Sequence, residues 1–174
     1  MGNIENILQS NFKPKEKQTK LVEALCSGAI SDKEFIDFFK SASYVDKGTC
    51  ADVMKHVSEQ KPEILAPYID TLVEYINHKA PRVKWGVSET IGNLALKYPD
   101  NAAAAVPYLL RNTVGNETNT TVIRWCAAYS LSEIAKHSTK ARNALVPEMK
   151  NIIIKEKNTG VRNVYVKALK LLEK

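Results

Sequence analysis

The chain repeats itself with a period of about 40 residues, and that period constrains its fold more than any other property. Pro67-Tyr68-Ile69 returns as Pro107-Tyr108-Leu109 and as Pro147-Glu148-Met149. Val83-Lys84-Trp85 returns as Ile123-Arg124-Trp125 and, two residues early, as Val161-Arg162-Asn163. Ile91 and Leu94 return as Leu131 and Ile134, then as Leu169 and Leu172. Repeats of this length with helical spacing inside them are helix pairs. Each is too small to bury its apolar face alone, so stacking supplies the core.

Within the unit from Glu63 to Lys97, Ile64, Leu65, Tyr68, Ile69, Leu72, Val73 and Ile76 recur at three- and four-residue steps and make one helical stripe. Pro67 falls inside that stripe and predicts a bent helix, because it removes one backbone hydrogen bond. His78-Lys79-Ala80-Pro81 predicts a turn with Pro81 opening the second helix, where a missing N–H has no partner to lose. The second helix is predicted from about Arg82 to Lys97 and ends at Tyr98-Pro99-Asp100-Asn101. A short connection makes the two helices antiparallel neighbours.

The pattern resembles the HEAT repeat family of armadillo-like superhelices. The matching residues are the first-helix prolines at 67, 107 and 147 and the pairs Val83-Lys84, Ile123-Arg124 and Val161-Arg162. Val87, Ile91 and Leu94, with their counterparts Ala127, Leu131, Ile134 and Tyr165, Leu169, Leu172, also match. The resemblance covers about 63–174 and implies an all-α, right-handed α-α superhelix of about four helix pairs. One feature departs from the family. Where a loop aspartate usually stands, this chain has His78, Thr118-Asn119 and Glu156.

The expected organisation is a single helical-repeat domain over 1–174. Residues 1–42 form cap and lead-in helices and 43–61 a degenerate half-repeat. The repeats proper are 62–98, 101–138 and 140–174. In the lead-in, a helix from about Pro14 stops before Gly28, and Ser31 with Glu34 reads as a capping box.

No apolar run is long enough to span a bilayer. The N-terminus lacks the basic region and apolar core of a signal peptide, which predicts a cytoplasmic protein with no membrane contact. Cys26, Cys50 and Cys126 are few and widely spaced, which predicts small buried hydrophobes, with no disulfide framework and no metal site. The sequon patterns at Asn116 and Asn119 read as loop polarity. His56, His78 and His137 are isolated, no phosphate-binding glycine loop is present, and neither catalytic residues nor cofactors are expected. In HEAT-like iron hydroxylases a histidine precedes a glutamate; here Val57, Lys79 and Ser138 follow instead.

In the resembled family the second helices line the concave face. Projected at helical pitch, Trp85, Glu89 and Asn93 lie off the core stripe of the first. Trp125, Tyr129, Glu133 and Lys136 lie there in the next, and Asn163, Lys167 and Lys170 in the last. These positions suit either a solvent-facing groove or the seam between repeats. The expected function is a non-enzymatic interaction module that takes a protein or peptide partner on this groove. The alternative is nucleic acid, because residues 121–174 carry eleven basic and four acidic side chains, net +7 in a chain of net +6. A weaker likeness, of fold and face alone, is to the DNA alkylation repair glycosylases, which combine aromatic residues with a carboxylate.

Overall fold

The structure is a computed structural model that describes residues 3–173. It is all-helical, with no strand among the described residues. The α-helices are α1 (Asn3–Gln9), α2 (Pro14–Ser27), α3 (Asp32–Ser41), α4 (Tyr44–Gln60), α5 (Ile69–Tyr75), α6 (Pro81–Leu94), α7 (Pro99–Ala102), α8 (Val106–Leu110), α9 (Thr121–His137), α10 (Thr139–Lys155) and α11 (Thr159–Leu172). Short 3-10 turns cover Pro62–Ile64, Ala66–Tyr68 and Ala103–Ala105.

Helix ends follow local chemistry. Ser31, Ser43, Thr120, Ser138 and Asn158 each accept a backbone N–H three residues on and so start α3, α4, α9, α10 and α11. Gly28 ends α2 in the left-handed region at φ 78°, which costs glycine nothing. Several C-termini are closed by a basic side chain from a later element. Lys17 donates to Leu8 O, Lys61 to Cys26 O, Lys47 to Phe39 O and Lys40 O, and Arg142 to Ala135 O and Lys136 O. Each places a cation at the negative end of a helix dipole. Lys47 is almost fully buried there, and its ammonium also lies 5.2 Å from the Phe39 ring centre and 5.1 Å from that of Tyr75.

The three repeated prolines do three different things. The single bent helix expected around Pro67 is instead two 3-10 turns leading into α5. Without an N–H at 67, the chain tightens to three-residue bonds, Leu65 N to Pro62 O at 3.1 Å and Tyr68 N to Leu65 O at 3.0 Å. Pro107 sits in the first turn of α8, where the lost donor is an orphan anyway. Pro147 lies inside α10, where Asn143 and Pro147 are both exposed and water can serve the freed carbonyl. Two boundaries also move. The second helix ends at Leu94, short of Lys97, and Pro99 opens α7.

The predicted core stripe is buried except at its end, where Leu172 is half-buried. Val83, Val87, Ile91 and Leu94 of α6 are closed to solvent, as are Ile123, Ala127, Leu131 and Ile134 of α9 and Val161, Tyr165 and Leu169 of α11. Helix α2 packs on α4, α4 on α6, α6 on α9 and α9 on α11. Helix α3 packs on α4, α5 on α6, α8 on α9, and α10 on both α9 and α11. Two glycines let neighbours approach closely. A Cβ on Gly86 would lie 2.9 Å from Ala51 backbone and side chain, and one on Gly92 would lie 2.8 Å from the Tyr129 ring. Between them, Ser130 Oγ donates across the seam to Ser88 O at 2.6 Å.

Two of the loop positions that depart from the resembled family, Asn119 and Glu156, are tied together in another way. Arg124 donates to Asn119 O at 2.7 Å and to both carboxylate oxygens of Glu156 at 2.8 and 3.3 Å. Glu156 is buried, and it also accepts Asn158 N at 2.8 Å. Burial pushes its carboxyl up, but the hydrogen bonds from Arg124 and the backbone outweigh this and leave it below the usual carboxylate range. Asn119, the second sequon asparagine, is buried and donates its amide to Arg111 O and Thr113 O. Its role is to close the loop; Asn116 is exposed.

Candidate interaction face

The off-stripe residues of α6 and α9 come together, but not as a row of free side chains. Glu89 accepts Lys55 Nζ at 2.9 Å and the Cys126 thiol at 3.2 Å, so it binds α6 to α4 and to α9. Asn93 makes the same three-helix link. Its amide donates to Ser58 Oγ at 2.9 Å and Lys55 O at 3.3 Å, and its oxygen accepts Tyr129 OH at 2.6 Å. Both residues are partly buried, and they set the register of neighbouring helices.

Tyr129 carries the face outward. Its ring stacks on Trp125, one turn earlier, with centroids 5.8 Å apart and planes 3° from parallel. Burial, then the nearby carboxylates Glu133, Glu59 and Glu89, push its phenol up to about 12, so it stays a hydrogen-bond donor. Trp125 is 39% exposed, whereas Trp85 is half-buried and has no aromatic partner. The ring partner of Trp125 is therefore Tyr129 on its own helix, not the tryptophan one repeat away. Glu133 pairs with Lys136, and its other oxygen lies 3.5 Å from His137 Nε2. On α11, Asn163, Lys167 and Lys170 are exposed, and none makes a side-chain ion pair or hydrogen bond among the described residues.

A cleft of about 290 Å³ opens between the C-terminal parts of α4, α6 and α9, lined by Asn93, Leu96, Lys97, Tyr129 and Glu133 among others. Gln60 also lines a larger open hollow of about 720 Å³ between α2 and α4, beside Val22, Cys26 and His56. Leu96, 63% exposed, and Lys97 were missed as members of this face; α6 ends at Leu94, and they follow it. Lys55, Ser58 and Cys126 were also missed. The small residues Gly86, Ser88, Gly92 and Ser130 at the seams were the sequence signal for them, since only close helices bring such partners into reach.

Burial favours the protonated thiol at both buried cysteines. Burial and then Glu89 push the Cys126 thiol well above its ordinary range, and burial pushes that of Cys50 up to about 12. Among the described residues no cluster of three or more His, Cys, Asp and Glu side chains could hold a metal ion, and no helix is long and apolar enough to cross a membrane. No protein-family model matches the chain, and no curated protein matches it.

Proposed function

We propose that the successive pairings α2–α4–α6–α9–α11 are a right-handed superhelix of about four HEAT-like helix pairs. In this reading the chain is a cytoplasmic, non-enzymatic interaction module that takes a protein segment on the face of α6, α9 and α11. The observation that carries it is the open cleft beside the Trp125–Tyr129 stack. Paired aromatic rings on a rigid helix, next to a recess and an exposed leucine, are what an apolar anchor residue of a partner needs. The Tyr129 ring is pre-positioned by Asn93, so binding costs little ordering there.

The test is Trp125→Ala. Far-UV circular dichroism and the melting temperature should stay close to wild type, because the ring is substantially exposed, while binding of peptides selected on the wild-type protein should be lost. A variant that unfolds would make Trp125 a core residue and remove the proposal's main support. Nucleic-acid binding is the second reading, favoured by one observation: Lys155, Lys157, Arg162, Lys167 and Lys170 are exposed with no carboxylate partner. Phosphate contacts would make such binding fall steeply with salt. Base-excision chemistry of the alkylation-repair kind has less support, because Glu89 and Glu133 are both held in ion pairs.

A further inference from the structure

The charges on the face are unevenly satisfied, and the imbalance has a sign. Two of its carboxylates are held in ion pairs, Glu89 by Lys55 and Glu133 by Lys136, and Glu59 lies 3.2 Å from His56 Nδ1. Lys97 at the edge of the cleft and Lys167 and Lys170 on α11 have no carboxylate partner among the described residues. The unengaged charge is thus mainly cationic, and its carriers flank α9: Lys97 follows α6, and Lys167 and Lys170 lie on α11, the two helices that pack on α9. Exposed apolar side chains lie among these cations: Leu96 next to Lys97, and Leu171, 59% exposed, next to Lys170 and one helical turn from Lys167.

The register explains why α11 is where the charge is free. Gly92 of α6 packs against Tyr129 and Ser130 of the next helix, and the corresponding Ser132 of α9 is buried. The same position of α11 is Lys170, on an edge that packs against no further helix among the described residues. The positions equivalent to Trp125 and Tyr129 are Asn163 and Lys167, so the aromatic stack gives way to polar and cationic side chains within one helix spacing, about 8–10 Å.

We propose that the segment bound on this face is an acidic peptide with an apolar anchor. The anchor enters the cleft beside Tyr129 and Trp125, and the Asp or Glu side chains reach Lys167 and Lys170 at one end and Lys97 at the other. This rests on the reading of the face as a peptide-binding groove and adds the chemistry of the partner. Peptide fits better than nucleic acid because a phosphate backbone would leave Leu96 and Leu171 uncovered, whereas an amphipathic acidic segment buries them.

The experiment is selection of a displayed library of short randomised peptides on the full chain, with a pool of random single-stranded oligonucleotides in parallel. Affinities of the selected ligands are then measured on wild type, Trp125→Ala and Lys167→Glu/Lys170→Glu. Lys167 and Lys170 are exposed and unbonded, so the double variant should keep the wild-type melting temperature. The expected result is enrichment of Asp and Glu around one aromatic or aliphatic residue. Binding should be lost in Trp125→Ala and weakened about tenfold in the charge-reversed variant, a factor of about three for each exposed pair. Binders that depend on Trp125 but are basic or uncharged, or that ignore the charge reversal, would overturn the acidic partner and leave the groove standing. Peptides that never depend on Trp125 would overturn the groove itself. Oligonucleotides that bind through Lys167 and Lys170 more tightly than any selected peptide would transfer the surface to nucleic acid.

Discussion

Gly86→Ala tests the closeness of the helix row most directly. Gly86 sits mid-helix in α6, and a Cβ there would lie 2.9 Å from the Ala51 carbonyl carbon, 2.9 Å from its Cβ and 3.0 Å from its oxygen. Ordinary contacts begin near 3.4 Å, so α4 and α6 would have to part by about half an ångström along their seam. Two of the three atoms are backbone and cannot swing aside. Overpacking of this kind costs up to about 3 kcal/mol, and the gain in helix propensity from glycine to alanine returns about 1. The net loss is about 2 kcal/mol, or about 4–8 °C in melting temperature for a chain of this size. Gly48→Ala is the matched control. It is also inside a helix, α4, but its Cβ would meet only the stem of Arg82, at 3.2 Å, a side chain that can shift while keeping its 2.6 Å contact with Asp52. Its melting temperature should be unchanged or raised by up to about 4 °C. Thermal melts followed at 222 nm decide the matter. If Gly86→Ala melts at or above wild type, or the two variants shift alike, α4 and α6 do not approach as described, and the links from Lys55 and Ser58 to Glu89 and Asn93 lose their basis.

Ile91→Asp or Leu131→Asp places a charge where both native side chains are closed to solvent, and should leave no cooperative melt; a folded variant would contradict the shared core. Glu156→Gln should cost about 2 kcal/mol at neutral pH, because it breaks a largely buried pair with Arg124. It should also flatten the acid limb of stability against pH. The carboxyl titrates lower folded than unfolded, so its contribution is present above the unfolded value and is lost as pH falls through the folded one; melts across that range in both proteins compare the slopes. Thiol labelling of the native chain should modify Cys26, which is partly exposed, well before Cys50 and Cys126, with all three reacting in denaturant. Mass spectrometry of the labelled peptides gives the order, and early labelling of Cys126 would place the α6–α9 seam elsewhere.

The sequence by itself determined that the chain is helical, where α2, α3 and α6 begin, and which side of each second helix is buried. Those properties are local: apolar residues at 3.6-residue spacing, a serine or threonine at the start, and glycine or proline at a break. Gly28, Ser31 and Pro81 act as their chemistry dictates, and the stripe through Ile91, Leu131 and Leu169 is core. Tertiary structure decided everything that depends on the distance between helices. The same proline at 67, 107 and 147 gives a 3-10 turn, a helix start and a mid-helix residue, because the flanking segments pack differently. Glu89 and Asn93 share a side of α6 with Trp85, yet they are fastened to α4 and α9, because Gly86 and Gly92 bring those helices within hydrogen-bonding reach. Trp125 found its partner one turn along its own helix and not one repeat away. Lys170 is exposed with no ion pair among the described residues, whereas Ser132 in the same register is buried, because a side chain is covered or left open according to what packs beside it.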